Sequence, residues 1–223
     1  MAGSPPTLSA LRQLLSERFP QPPRARGGVL PTGIPGIDQA LGGGLRGGLL
    51  TELVSEAPSS GGQSVLAGLL AATRAARSRL ALVDGADGFE PAAVPPDGLR
   101  HLVWVRCENS DQAFAAADIL VRDGNYAAIV LDVRGLPERS LRRTPASVWY
   151  RLQRAAEGGN AAILVQTEFP LVPAVPWRLR LEKSMALAAA GQRRAEVAAS
   201  LAPVLERGGA AAEIAAAAEQ LAG

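Results

Sequence analysis

The sequence predicts an α/β fold in which a mainly parallel sheet is flanked by helices. From Gly27 onward, short aliphatic runs alternate with longer helical patterns, which is typical of consecutive strands joined by crossover helices. Two of the runs, Ala127–Leu131 and Ala161–Val165, are apolar throughout, as expected of central strands that are covered on both faces. The segments between the runs are long enough for the helix that a parallel connection requires.

The segment that precedes this pattern, residues 1–26, is predicted to be a helical arm followed by a linker. Leucines at helical spacing between Thr7 and Arg18 indicate an amphipathic helix, and the proline-rich run Phe19–Pro23 ends it. Such a leucine face packs either on the core of its own chain or on a partner, and the sequence leaves both options open.

The core is assigned to residues 27–183. Its predicted strands are Leu49–Val54, Arg79–Val83, His101–Arg106, Ala127–Asp132, Ala161–Gln166 and Arg178–Glu182. Its predicted crossover helices are Gln63–Arg77, Ser110–Arg122 and Pro145–Glu157. The remaining residues, 184–223, are rich in alanine and have high helix propensity, with breaks at Gly191, Pro203 and Gly208. We therefore expect an alanine-rich helical tail.

Composition and charge exclude several classes of protein. Cys107 is the single cysteine, so neither an intramolecular disulfide nor a cysteine-based zinc cluster can form. The formal net charge of +2 is too small to require a nucleic-acid partner. No uncharged apolar run approaches the roughly 20 residues that cross a bilayer, and the first residues lack the apolar core of a signal peptide. We expect a cytoplasmic protein without membrane contact.

The first core strand leads into a loop and then a helix, which is the order found in nucleotide-binding phosphate loops. In a loop of the pattern GxxxxGK followed by Ser or Thr, backbone amides hold the phosphates, the lysine neutralises them and the hydroxyl binds magnesium. The best register places Ala57 at the first glycine, Gly62 at the second, Gln63 at the lysine and Ser64 at the hydroxyl.

This loop lacks the cation that would neutralise a phosphate. Gln63 donates a hydrogen bond but carries no charge, and hydrogen bonds that involve charged groups are worth about 1.5–3 kcal/mol. Lys183 is the only lysine and lies in a different predicted strand, so no shift of register brings a lysine into the loop. Ala57 also places a Cβ where glycine would permit an unusual backbone angle. We expect no bound cofactor at this degenerate site.

Two stretches of the sequence resemble the RecA recombinase family. The stretch Leu30–Gly48 contains a Thr-Gly pair, the later Asp38 and a glycine-rich turn, which recur before the phosphate loop in that family. The stretch Ala81–Pro91 is similar to the RecA strand that carries the water-activating glutamate. The resemblance covers about residues 28–183 and implies a RecA-like phosphate-loop core.

The same resemblance assigns roles to residues at the ends of later strands. Ala86 occupies the place of the glutamate, which implies that the general base is absent. Asp132 matches the aspartate that orients magnesium in this fold. Gln166 and Thr167 end the strand where RecA has a nucleotide-sensing polar residue. The connections after Asp132 and Gln166 are shorter than the DNA-contacting loops of RecA, so pairing of DNA strands is not expected.

Among RecA-like proteins, the chain is most similar to the ImuA family. The similarity rests on the degraded loop that ends at Gly61–Ser64, on the run His101–Arg106 followed by a helix and Asp132, and on the strand Trp177–Leu181. That family accompanies ImuB, a Y-family-like protein, and an error-prone DnaE-type polymerase in damage-induced bacterial mutagenesis. The resemblance implies a non-catalytic adaptor without a cofactor, with ImuB-like and RecA-like proteins and the DnaE-type polymerase as partners.

Two other functions stay open. One is an ATPase in which an arginine supplied in trans replaces the charge missing at Gln63. The other is a DNA-binding repair module, for which only a weak DNA contact is expected. The arginines that follow Asp132 suit phosphate groups, an acidic partner or solvent alike; they are Arg134, Arg139, Arg142 and Arg143. A solvated turn, rather than a metal site, is predicted for the acidic cluster of Asp84, Asp87 and Glu90.

Overall fold

A computed structural model describes residues 28–57, 59–185 and 191–207. Within these residues, the chain forms a seven-stranded sheet flanked by helices and a separate pair of short strands. Six strands of the sheet are parallel, and the last one is antiparallel to its neighbour. The predicted α/β fold with a mainly parallel sheet is confirmed. The predicted N-terminal arm, residues 1–26, lies outside the described residues.

The strands include all six that the aliphatic runs predict, with small shifts at their ends. They are β1 (Val29–Leu30), β2 (Leu45–Arg46), β3 (Leu50–Val54), β4 (Leu80–Asp84), β5 (Leu102–Arg106), β6 (Ala128–Asp132), β7 (Ala162–Thr167), β8 (Trp177–Arg180) and β9 (Val204–Arg207). The order in the large sheet is β5-β4-β6-β7-β3-β8-β9, while β1 and β2 pair separately. Strands β3, β4, β6 and β7 are buried along their whole length because helices cover both faces.

The helices include the three predicted crossovers and several shorter ones. They are α1 (Pro35–Ala40), α2 (Gly62–Ala75), α3 (Pro96–Leu99), α4 (Ser110–Asp123), α5 (Glu138–Arg142), α6 (Ala146–Glu157) and α7 (Arg194–Ser200). Helices α4 and α6 cover one face of the sheet. There the rings of Phe114 and Trp149 pack edge to face, with 5.0 Å between the ring centres. Helices α1, α2 and α7 cover the other face. None of these described helices combines the length and the apolar content that a membrane crossing requires.

The alanine-rich tail differs from the prediction of short helices. Helix α7 lies in it as expected, but Val204–Arg207 forms strand β9 instead of a helix. The physical reason is that β8 would otherwise be an edge strand with unpaired backbone N–H and C=O groups. Antiparallel pairing with β9 provides hydrogen-bond partners for these groups. An ion pair between Arg180 of β8 and Glu206 of β9 reinforces the contact. The helix prediction is therefore wrong for this segment.

Candidate functional site

The degenerate phosphate loop lies at the carboxyl end of β3, as the sequence predicts. The chain leaves β3 at Val54 and enters the 14-residue helix α2 at Gly62. Gly61, the residue before the helix, has a φ of 107°, and Ser59 has a φ of 57°. Ala57 is not among the described residues with positive φ, so its Cβ causes no backbone strain. The sequence suggested that Ala57 occupies a position that needs glycine, but the φ angle of Ala57 is one that alanine adopts without strain.

The side chain at the lysine position of the loop is directed to a neighbouring turn. The amide nitrogen of Gln63 donates a hydrogen bond of 3.3 Å to the carbonyl oxygen of Gly88, in the turn after β4. The next residue, Ser64, donates its backbone N–H to the carbonyl oxygen of Gly61 at 2.9 Å and begins the helical hydrogen bonding. The loop itself therefore provides no cation, as the sequence predicts.

The cation nearest the loop comes instead from the residues that follow β6. The guanidinium of Arg134 binds the carboxylate of Asp132 in a two-point contact, with Nε 2.8 Å from Oδ1 and Nη2 2.5 Å from Oδ2. The backbone N–H of Arg134 donates to the same Oδ1 at 3.2 Å. Both side chains are largely buried, with exposed fractions of 19% for Arg134 and 11% for Asp132. The aspartate at the magnesium position is thus neutralised within its own segment.

The third nitrogen of this guanidinium lies against the start of helix α2. A Cβ added to Gly62 would overlap with Nη1 of Arg134 and would lie 2.9 Å from Oε1 of Gln166. Nε2 of Gln166 donates to the carbonyl oxygen of Gly62 at 3.2 Å. The absence of a side chain at Gly62 therefore makes room for Arg134. The structure brings four predicted site residues together here: Gly62, Asp132, Arg134 and Gln166.

The charge on Arg134 depends on the carboxylates around it. Burial lowers the pKa of the guanidinium, but the hydrogen bonds that it donates to Asp132 and the negative charges of Asp132, Glu168 and Asp84 outweigh burial and raise that pKa above its ordinary value. The group is therefore a permanent cation at the edge of the loop. The sequence suggested that Arg134 contacts a partner, but its guanidinium is bound to Asp132 within the same chain.

Magnesium does not fit the arrangement of these side chains. Magnesium takes octahedral oxygen ligands at about 2.0–2.1 Å and adds two positive charges to its site. Both oxygens of Asp132 already accept hydrogen bonds from Arg134, and the guanidinium charge lies where a second cation would be repelled. No group of three or more His, Cys, Asp or Glu residues among the described ones is arranged to hold a metal ion.

The outer side of the loop is covered by the segment after β8. The backbone N–H of Met185 donates to the carbonyl oxygen of Ser59 at 3.1 Å, and the buried side chain of Leu201 lies directly against Gly61. A small cavity of about 190 Å³ between these segments is lined by both Ser60 and Lys183. The fold therefore brings the single lysine to the outer side of the loop, which the sequence order concealed.

The turn after β4 is built on a buried aspartate rather than a solvated one. Asp84 accepts hydrogen bonds from the N–H groups of Gly88 and Phe89 and from the indole N–H of Trp104, at 2.9–3.1 Å. Asp87 forms an exposed ion pair with Arg106. The prediction of a solvated turn is wrong for Asp84 because these three donors compensate its burial. Ala86, at the place of the general base, lies in the same turn.

The remaining arginines after β6 differ in what they contact. Arg142 forms an ion pair with Glu138 and stacks over the ring of Phe169, with 4.4 Å between the guanidinium carbon and the ring centre. Arg139 and Arg143 are exposed and have no ion pair within the described residues. Two of these residues, Arg139 and Arg142, belong to helix α5 rather than to a loop. The four predicted contact arginines therefore differ in whether a side chain of the same protein already binds them.

Comparison with known proteins supports the coarse assignment. No protein-family model matches the chain. The RecA protein of Thermus aquaticus is 31% identical over 119 residues, which is 52% of this chain and 34% of that protein. The RecA protein of Streptomyces avermitilis is 33% identical over 108 residues, or 47% of this chain and 28% of that protein. The chain resembles RecA over about half of its length.

The similarity extends over only part of each RecA protein. The RecA protein of Bifidobacterium breve gives the same picture, with 33% identity over 47% of this chain and 27% of that protein. The chain spans about a third or less of the length of these RecA proteins. This similarity and the mostly parallel seven-stranded sheet together support a RecA-like core. Similarity to the ImuA family stays a prediction.

Proposed function

We propose that this chain is a non-catalytic RecA-like adaptor that acts through protein contacts in the bacterial response to DNA damage and in translesion DNA synthesis. Its expected partners are an ImuB-like protein, a RecA-like protein and an error-prone DnaE-type polymerase. The RecA-like core supports a scaffold of this kind. The role in mutagenesis and the partners come from the sequence resemblance to the ImuA family.

The single observation that carries the non-catalytic part of the proposal is the pair between Asp132 and Arg134. In a RecA-like site, the aspartate must be free to orient magnesium, and the loop must present a cation to the phosphates. Here the guanidinium binds both oxygens of the aspartate, and Gln63 is directed to Gly88. Ala86 leaves no carboxylate to activate water at the place of the general base. Three side chains, Asp132, Gln63 and Ala86, therefore support a protein that does not hydrolyse ATP.

An ATP-binding protein with a non-standard phosphate loop is the second candidate, and one observation favours it. Two buried polar atoms at the carboxyl edge of the sheet, Oγ of Ser55 and Oε1 of Gln166, have no hydrogen-bond partner among the residues that the structure describes. Unpartnered buried polar atoms are uncommon and suit a site that receives a polar ligand or a water. Arg134, which lies against the start of α2, and Lys183, on the outer side of the loop, would then supply the missing positive charge.

A DNA-binding repair module has less support. A cationic surface for nucleic acid combines several unpaired arginines along one path. Arg134 is engaged with Asp132, and Arg142 is engaged with Glu138 and Phe169. Only Arg139 and Arg143 of the four predicted contacts are without a partner within the described residues. This small number agrees with the weak DNA contact expected from the sequence.

Isothermal titration with ATP and magnesium tests the non-catalytic proposal directly. We expect no saturable heat for the wild-type chain under conditions in which a RecA protein, titrated in parallel, binds ATP. Saturable binding that disappears in Arg134→Ala would instead support the ATP-binding candidate and would contradict the proposal. The adaptor role is tested separately by pull-down from DNA-damaged cells, where recovery of neither an ImuB-like nor a RecA-like protein would count against it.

A further inference from the structure

A large surface groove lies on the face of the molecule that carries helices α4 and α6. Its volume is about 940 Å³. The lining residues come from the start of α4, from α5 and the turn after it, and from the start of α6; the polar ones are Asp111, Arg139, Ser140, Arg143, Thr144 and Arg151. Apolar side chains form the rest of the surface, among them Phe114, Ala115 and Val148.

The walls of the groove are fixed by contacts within the chain. The hydroxyl groups of Ser110 and Ser140 form a hydrogen bond of 2.6 Å, which ties the start of α4 to α5. Arg151 of α6 reaches Asp118 of α4 at 3.2 Å, and the Phe114 ring packs on Trp149. A groove whose walls are already positioned loses little conformational entropy when a partner binds.

The lining of the groove carries a net positive charge. Arg139 and Arg143 are exposed and have no ion pair within the described residues. Arg151 shares the carboxylate of Asp118 with Arg122, so these three side chains together keep one positive charge beside the groove. Asp111 is the one acidic side chain in the lining. Among the described residues, the lining charge that is free of an ion pair is therefore carried by two arginines beside an apolar surface.

We propose that this groove binds an acidic segment of a protein partner, with carboxylates on Arg139 and Arg143 and apolar side chains on Ala115 and Val148. The inference rests on the proposed adaptor function, and it names the surface and the chemistry of one partner. Nucleic acid is a poorer match because its dense phosphates require more cations than two, and Asp111 would repel them. An acidic peptide that also contains apolar residues can place carboxylates on the two arginines and apolar side chains on the apolar part of the lining.

Fluorescence anisotropy with labelled probes tests this proposal on the full chain. The probes are a short peptide of Glu, Asp and Leu, the same peptide with Gln and Asn in place of the acids, and single-stranded oligothymidine. We expect salt-sensitive binding of the acidic peptide only. Replacing both arginines, Arg139→Gln with Arg143→Gln, should weaken that binding about two- to thirtyfold, the range expected for two exposed ion pairs.

A matched variant controls for the loss of two positive charges. Arg77 and Arg100 are also exposed, have no ion pair within the described residues and lie outside the groove. Arg77→Gln with Arg100→Gln should leave peptide binding unchanged, whereas Asp111→Asn should tighten it because a like charge is removed. The proposal is overturned if the peptide does not bind, if both double variants lose affinity equally, or if oligothymidine binds in its place with the same dependence on Arg139 and Arg143.

These results are independent of nucleotide binding. Saturable ATP binding together with groove-dependent peptide binding would contradict the non-catalytic part of the proposed function and leave the groove assignment in place. Loss of the peptide result alone, with ATP still unbound, would overturn the groove and leave the non-catalytic proposal in place. Urea unfolding of the Arg139 and Arg143 double variant should match the wild type, because both side chains are exposed.

Discussion

The substitution Arg134→Ala tests whether the pair with Asp132 holds the degenerate site together. It removes the guanidinium and leaves the Asp132 carboxylate, with an exposed fraction of 11%, without a compensating charge. Removing one partner of a fully buried pair costs about 3–5 kcal/mol. Because the carboxylate keeps the backbone N–H of residue 134 and some contact with solvent, we expect a loss of about 2–4 kcal/mol in the free energy of unfolding.

Urea unfolding measures this loss, and thermal unfolding gives a second estimate. For a chain of this length, the expected loss corresponds to a decrease in Tm of about 5–15 °C. Arg142→Ala is the matched control, since that arginine forms an ion pair with Glu138 in which both side chains are more than half exposed. An exposed pair of this kind contributes about 0.2–1 kcal/mol, and the stacking of Arg142 on Phe169 adds about 0.5–1 kcal/mol. Both variants remove one positive charge, so a larger loss of stability for Arg134→Ala reflects the burial of its pair.

A double-mutant cycle decides whether the effect belongs to the pair. Asp132→Asn in the Arg134→Ala background removes the uncompensated charge, so the double variant should be more stable than the sum of the single losses predicts, by more than about 1 kcal/mol. A loss for Arg134→Ala no larger than that of Arg142→Ala would refute the reasoning. Strict additivity in the cycle would refute it as well, because the two side chains would then not be coupled.

Three further predictions concern the surroundings of the loop. Gly61→Ala should lower stability by at least about 1–2 kcal/mol in urea unfolding, because its φ is 107° and its Cβ would overlap with Leu201, whereas Gly88→Ala, with open space around it, should be close to neutral. Asp84→Asn should cost about 1–3 kcal/mol in the same assay, since its new amide N–H groups would face existing donors; an unchanged midpoint would contradict this. Burial and the Asp84 charge raise the pKa of the Cys107 thiol, so its contribution to stability is complete below the unfolded-state pKa of about 8.5 and is lost as the pH rises through the higher folded-state pKa. Because a buried thiol also reacts slowly for lack of access, the test is the pH profile of iodoacetamide modification: its midpoint should lie at higher pH in the native protein than in the denatured one, and equal midpoints would refute the shift.

The sequence is sufficient for most of the sheet because hydrophobic pattern alone identifies its central strands. The run Ala128–Asp132 is apolar up to its final residue, and no other regular structure explains such a run between helical segments. Strand β9 is different, since the alanines around it dominate the local helix propensity. Its formation depends on the open edge of β8, which is a tertiary property. Local propensity carries no information about that edge.

The candidate site divides in the same way. Aligning the sequence with the phosphate-loop pattern and with the RecA strand places Gln63 where a lysine is expected and Ala86 where a glutamate is expected. Both absences can therefore be recognised from the sequence alone. The sequence shows only that Arg134 follows Asp132 by two residues at the end of a strand. It does not show that the two side chains form an ion pair. The significance of that pair comes from Gly62, which lies 70 positions or more away in the chain and provides the space for the guanidinium. The same holds for Lys183, which reaches Ser60 only through the path of the chain after β8.

The pair between Asp132 and Arg134 explains how a RecA-like core keeps an acidic residue at this position without a bound cation. A buried carboxylate at the end of a central strand is costly unless a positive charge compensates it. In this chain the compensating charge is covalently attached two residues later, so it is present at every nucleotide concentration. The buried carboxylate at this edge of the sheet is therefore compensated by the chain itself. If the proposed adaptor function is correct, we expect a surface on this scaffold, such as the groove beside α5, to keep its conformation when ATP is added.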